Sequence, residues 1–197
     1  MLQYLTQPET KYSVVEQAQM VIEGGCSWIQ LHFPDIDTTY LREISAELIP
    51  LCKETATILM LENNPEMAKE LGLHGVHITL DSNLDPQKIR EDFGPEAIIG
   101  VEVDSVEKLL AFRTVDIDYV SLPHSLSDAE KNKIAEKAVA EGNTLPIVFE
   151  GKYTIDDIYE PALRLASGIC SGKHIIDSSD PVKYTEQFLT ALNRTRK

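Results

Sequence analysis

The sequence predicts an α/β fold, a compact (β/α)8 TIM barrel, and three observations carry the expectation. Eight short apolar runs alternate with amphipathic helical patterns along the chain. The runs are continuously apolar, as strands covered on both faces of a parallel sheet are. No G-x-G-x-x-G turn follows the first run. An open doubly wound sheet would also alternate, but the count of eight favours closure. The 197 residues suit a single domain, 1–197, shorter than the roughly 250 of a typical barrel, so the loops must be short.

The elements follow in order. Leu2–Thr6 is the first strand. Ser13 and Glu16 form a capping box for a helix with Val14, Ala18, Val21 and Ile22 on one face, stopped by Gly24-Gly25. Ser27–Leu31 is the second strand. The helix from Asp37 carries Leu41, Ile44, Leu48 and Ile49. Ala56–Leu61 is the third strand, with a short helix ending at Gly72, and Gly75–Ile78 is the fourth. Asp85-Pro86 opens a helix that closes at Gly94-Pro95. Ala97–Val101 is the fifth strand, and Asp104-x-x-Glu107 caps the helix behind it. Asp118–Leu122 is the sixth, followed by helix over 127–142. Leu145–Phe149 is the seventh, with Thr154-x-x-Asp157 opening another helix. Ser167–Ser171 is the eighth, and Asp180-Pro181 puts proline in the first turn of the last helix.

Composition narrows the partners. Hydrophobic residues at 43% and charged residues at 25% are ordinary globular values. A net charge of −14 argues against nucleic acid and against an anionic membrane. It does not argue against a small phosphorylated ligand, which a few cations and backbone N–H groups can hold. Cys26, Cys52 and Cys170 are far apart with no C-x-x-C pair, which points to reduced thiols and a cytoplasmic setting. No signal peptide or membrane span is expected.

In a barrel, function gathers at the C-terminal strand ends. There the chain resembles the thiamine phosphate synthase/TenI family. The resemblance rests on Tyr4-Leu5-Thr6, on Gly24-Gly25 through Gln30-Leu31, on Leu71-Gly72-Leu73-His74-Gly75-Val76-His77-Ile78, on Ile98-Ile99-Gly100-Val101, on Asp118-Tyr119-Val120, on Leu145-Pro146-Ile147-Val148 and on Ser167-Gly168-Ile169. These matches stand in family order and span nearly the whole chain. Family synthases join a pyrimidine pyrophosphate to a thiazole phosphate with Mg²⁺. Several of their motifs are replaced here. Q-L-R-x-K becomes Gln30-Leu31-His32-Phe33-Pro34, and N-D-R becomes Glu62-Asn63-Asn64. H-L-G-Q-x-D becomes His77-Ile78-Thr79-Leu80-Asp81-Ser82. P-T-x-T-K becomes Pro123-His124-Ser125-Leu126-Ser127, and the G-G phosphate turn becomes Glu150-Gly151-Lys152-Tyr153. The lost cations and metal carboxylate are those a departing pyrophosphate needs. TenI members lack that apparatus and isomerise a thiazole carboxylate phosphate, using a histidine after a Y-V-x-x-G-H strand. Tyr119-Val120-Ser121-Leu122-Pro123-His124 places His124 there, with proline for the glycine.

His124 is therefore the candidate general acid/base, set against the reading of an exposed loop histidine. Gly151-Lys152 and Ser171-Gly172-Lys173 follow strands seven and eight, where barrels hold phosphate. A plain turn is the alternative. Gln30 is a candidate ligand to a heterocycle or else a satisfied interior amide. His32, in place of the family arginine, is a weak anion contact. Glu62 with Asp81 is a poor Mg²⁺ site, so no metal is assigned, and Mg²⁺ is expected only with synthase activity. His77 reads as packed, His74 as structural, Cys170 as core, and Asp104 beside Glu102 as a helix cap. The expected partner is a thiazole phosphate, with a homodimer the family's usual pairing. The expected reaction is a TenI-like proton transfer. Synthase activity, ligand binding without catalysis, and a sugar phosphate isomerase remain the alternatives.

Overall fold

The computed structural model describes residues 1–33 and 37–195. Pro34 and Asp35, at the end of the second-strand motif, lie outside the described residues.

Eight parallel strands close in sequence order: β1 (Leu2–Leu5), β2 (Trp28–Leu31), β3 (Ile58–Glu62), β4 (Gly75–Ile78), β5 (Ile98–Glu102), β6 (Tyr119–Leu122), β7 (Ile147–Glu150) and β8 (Gly168–Ser171), with β8 pairing back onto β1. The α-helices are α1 (Val14–Glu23), α2 (Thr38–Glu54), α3 (Pro65–Glu70), α4 (Pro86–Phe93), α5 (Val106–Ala111), α6 (Asp128–Ala140), α7 (Lys173–Ile176) and α8 (Pro181–Thr195).

Alternation along each strand separates two apolar clusters. Outward residues such as Ile29, Leu59, Leu61, Val120 and Phe149 pack with helix residues such as Ala18, Leu48, Ala135 and Phe188. Inward residues Met60, Tyr119, Val148 and Cys170 fill the barrel with Trp28, Ile58 and Ile98. Glycine at position 100 makes room for this filling: a Cβ there would lie 2.1 Å from Cζ of Tyr119. The inward register then carries polar groups upward, pairing Glu62 with His77, Glu102 with Ser121 and Glu150 with Cys170.

The expected capping box at Ser13 is present, and the helix starts at Asp37, Asp85 and Ser127 are capped by those side chains, Ser127 in a second full capping box. Two local expectations need correction. Ser105, not Asp104, caps α5, its hydroxyl accepting from the Lys108 N–H at 3.2 Å. Asp104 instead pairs with the Lys108 ammonium at 2.8 Å, so it serves the same helix as a charge partner. After β7 no α-helix forms. Asp157 does accept from the Thr154 N–H and hydroxyl at 2.7 Å. The chain then makes two 3-10 turns, Asp157–Tyr159 and Pro161–Leu163. Pro161 has no N–H to return to the Asp157 carbonyl, and Glu160 before it is extended, as residues preceding proline are. Strict alternation thus fails at the seventh step, and α7 and α8 both follow β8.

Candidate active site

A cavity of about 670 Å³ opens at the C-terminal strand ends. Its floor is acidic. Glu62, Glu102 and Glu150 are the last residues of β3, β5 and β7, and all three line it. Each odd strand of this trio ends on an inward carboxylate, while the apolar-run reading stopped one residue short of all three.

His32 Nδ1 lies 3.0 Å from both oxygens of Glu62. That bond raises the His32 pKa against the opposing effect of burial. Burial also works against an ionised Glu62, but the bonds from His32 and Gln30 outweigh it, and its pKa is lowered. Gln30 is 1% exposed, and its amide is engaged at both ends. It donates to Glu62 at 2.9 Å and accepts from Gln3 at 2.7 Å. It therefore lies beneath the cavity surface. Gln3 also donates to the Tyr119 hydroxyl at 2.9 Å, and that hydroxyl stands 3.0 Å from His77 Nδ1. His77 Nε2 is 3.3 Å from Ser121 Oγ. Complete burial pushes the His77 pKa down to about 4, so the ring is neutral near pH 7. The expectation of a packed histidine holds, and His74 is structural as read: its Nδ1 accepts from the Leu59 N–H at 3.0 Å.

Burial pushes Glu102 up to about 7. The Leu80 N–H opposes this at 3.0 Å, while the charges of Glu150, Glu62 and Asp81 add to it. Glu150 is likewise raised by burial, against the stabilising contact of His124 Nδ1 at 3.2 Å. His124 itself is exposed at the cavity edge, 68% for its side chain.

The phosphate candidates converge on the cavity edge between β7 and β8. Gly151, Lys152, Ser171, Gly172 and Lys173 all line it. The Gly151 N–H is already given to the Cys170 carbonyl at 3.0 Å. Lys173 pairs with Asp177 at 2.9 Å, whereas the Lys152 side chain is exposed at the edge. Ser171 Oγ is buried with no hydrogen-bond partner. Gly172 is needed for the close approach to β1, since a Cβ there would meet the Leu5 carbonyl oxygen at 2.0 Å. A buried ammonium fixes the loop from below: Lys131 donates to the Glu150 carbonyl at 2.6 Å and to the Tyr153 hydroxyl at 3.0 Å. The Tyr153 hydroxyl donates in turn to Asp128 at 2.7 Å. Sequence reasoning missed Lys131, because a lysine on an amphipathic helix reads as a solvated one.

Among the described residues, His77, Glu102 and Glu150 bring ligand-type atoms within 4.8 Å of one another. A metal there would need a lone pair from His77. The hydrogen-bond chain points the other way. Ionised Glu62 can only accept, so Gln30 turns its NH₂ to Glu62 and its oxygen to Gln3. Gln3 must then donate to Gln30 and Tyr119, and the phenol hydrogen goes to His77 Nδ1. The imidazole hydrogen is left on Nε2, an assignment made from the network. The chain's one unmet end is Gln3 Oε1, which is buried with no partner.

A family model described as thiamine monophosphate synthase matches residues 2–175. A thiamine-phosphate synthase of Azorhizobium caulinodans is 34% identical, covering 93% of this chain and 90% of that protein. One from Bacteroides fragilis is 28% identical over 95% of this chain and 98% of its own length. The solved thiamine phosphate pyrophosphorylase from Pyrococcus furiosus superposes with a TM-score of 0.86 over 100% of this chain and 96% of that one. At 22% identity, that likeness speaks for the fold alone.

Proposed function

The chain belongs to the thiamine monophosphate synthase family, and from that premise we propose that it acts in thiamine biosynthesis on a thiazole phosphate, moving a proton rather than joining two rings. The observation that carries this is the contact of His124 with Glu150. An exposed imidazole at the cavity edge has one ring nitrogen held by a carboxylate 3.2 Å away, leaving the other for a ligand. That is the geometry of a general acid/base with its orienting partner.

Synthase chemistry asks for more positive charge than the cavity presents. A leaving pyrophosphate needs cations around it. The cavity instead presents Glu62, Asp81, Glu102 and Glu150, while His32 is bound to Glu62 and Lys173 to Asp177. The family's Mg²⁺ does not fit the residues present. Asn63 stands at a metal-aspartate position, and its amide is taken up by Thr79, at 2.7 Å to the hydroxyl and 2.9 Å from the N–H. Asp81 accepts from the same Thr79 hydroxyl at 2.6 Å.

The phosphate of the ligand belongs at the β7–β8 edge. Lys152 supplies charge there, and the buried Ser171 hydroxyl gains a partner. The test is turnover of a thiazole carboxylate phosphate tautomer by wild-type protein and by His124→Gln. The reading expects wild-type conversion without Mg²⁺ and a loss of about 100-fold or more in the variant. Unchanged turnover in His124→Gln would remove His124 from the reaction.

A further inference from the structure

We propose that Glu102 and Glu150 form a proton-sharing pair on the cavity floor, beside a His77 ring whose hydrogen is fixed on Nε2, and that this pair is the second acid/base group of the barrel. The inference uses the proton-transfer reading only for the pair's task; the pair itself is a property of the ligand-free chain.

The geometry comes first. The carboxylates end β5 and β7 and point into one cavity, and with His77 their polar atoms lie within 4.8 Å of one another. Two carboxylates so placed and partly buried cannot both ionise freely, and one retains a proton. The second observation is independent of their charge. The chain from Glu62 through Gln30, Gln3 and Tyr119 directs a hydrogen onto Nε2 of a ring that is 1% exposed. Reversing the Gln3 amide would set oxygen against the Gln30 oxygen 2.7 Å away, and reversing Gln30 would set oxygen against Glu62. The ion pair at the mouth thereby fixes the hydrogen on Nε2, 3.3 Å from Ser121 Oγ, in a ring packed beside the two carboxylates.

The surrounding charges favour a single retained proton. Glu62 on β3 and Asp81 after β4 add negative charge, and Cys170 on β8 is held as a neutral thiol by burial. His32 after β2 and His124 after β6 act in the opposite direction on Glu150. Lys131 of α6 contacts the Glu150 carbonyl, and Lys152 and Lys173 stand at the cavity edge. Burial and the neighbouring acids hold both carboxyls above the usual range, Glu102 at about 7.

A pair with one proton suits a tautomerisation. Its ionised member takes a proton from one ligand atom while its protonated member gives one to another. Only bonds to hydrogen break and form, and the pair ends with one proton and one negative charge, as it began. His124, on Glu150, links the pair to solvent.

The experiment is a pH titration of the ligand-free full chain, with ¹³C-labelled glutamate carboxyls and ¹⁵N-labelled histidine. Glu102 and Glu150 should both report the same two steps, with the second proton lost near neutral pH, and Glu102→Gln should leave Glu150 a single step moved toward the ordinary carboxylate range. His77 should carry its hydrogen on Nε2 and lose that preference in Tyr119→Phe, a variant that leaves both carboxyls in place. Independent titration of both groups at ordinary carboxylate values would overturn the proposal, as would a hydrogen on Nδ1 of His77. Turnover separates the two readings. A shared titration without tautomer turnover leaves the pair standing and defeats the function. Wild-type turnover in Glu102→Gln defeats the pair's task while the function stands.

Discussion

His32 Nδ1 stands 3.0 Å from both carboxylate oxygens of Glu62, and each group holds the other in its charged form. The His32 pKa is raised, so its contribution to stability is complete below about pH 6.5 and fades as pH rises through the folded value. The Glu62 pKa is lowered, so its contribution is complete above about pH 4.3 and fades as pH falls through its folded value. The pair should therefore stabilise the barrel most between those two limits. Replacing Glu62 with Gln should bring the His32 titration, followed by proton NMR, down toward the ordinary histidine value. An unmoved His32 would mean that the contact does not set its charge.

The strands were legible and their acidic ends were not. All eight apolar runs became strands, and Gly75–Ile78 kept its bounds. The third, fifth and seventh apolar runs end at Leu61, Val101 and Phe149, because the next residue is glutamate. A buried strand is recognised by apolar continuity, so a carboxylate that closes it looks like the first residue of a loop. Those glutamates are the cavity floor. The histidine at 124 was found through a motif, whereas its partner Glu150 needed the register of β7 against β8. Lys131 and the Gln3–Tyr119–His77 chain were hidden for a related reason: their partners lie across the fold, up to 116 residues apart for Gln3 and Tyr119. The missing helix after β7 was signalled by Pro161 but obscured by the Thr154–Asp157 cap.

Gly100→Ala should destabilise the barrel. The new Cβ would lie 2.1 Å from a Tyr119 ring carbon, and that ring is 2% exposed, set edge-on to Trp28 and stacked beside His77. It cannot move aside without losing those contacts. Overpacking of this kind costs about 1–3 kcal/mol, which in a chain of this size lowers Tm by roughly 2–4 °C per kcal/mol. Thermal unfolding measures it, and an unchanged Tm would mean that Tyr119 has room to shift.

Lys131→Met should loosen the loop at the phosphate candidates more than it unfolds the barrel. Asp128 and Tyr153 keep their own bond at 2.7 Å, so the carbonyl of Glu150 is the main acceptor left without its donor. One unmet buried acceptor costs about 1–3 kcal/mol. Hydrogen exchange at residues 151–154 should rise while exchange in α8 stays unchanged. Equal acceleration in both would indicate a global loss instead.

The central claim is proton transfer on a thiazole phosphate in place of ring joining, and one measurement addresses it directly. The wild-type chain is given the thiazole carboxylate phosphate tautomer without metal, and in parallel the thiazole phosphate with the pyrimidine pyrophosphate and Mg²⁺. The account predicts tautomer conversion in the first mixture and no thiamine phosphate in the second. Thiamine phosphate and released pyrophosphate in the second mixture, with no conversion in the first, would contradict it.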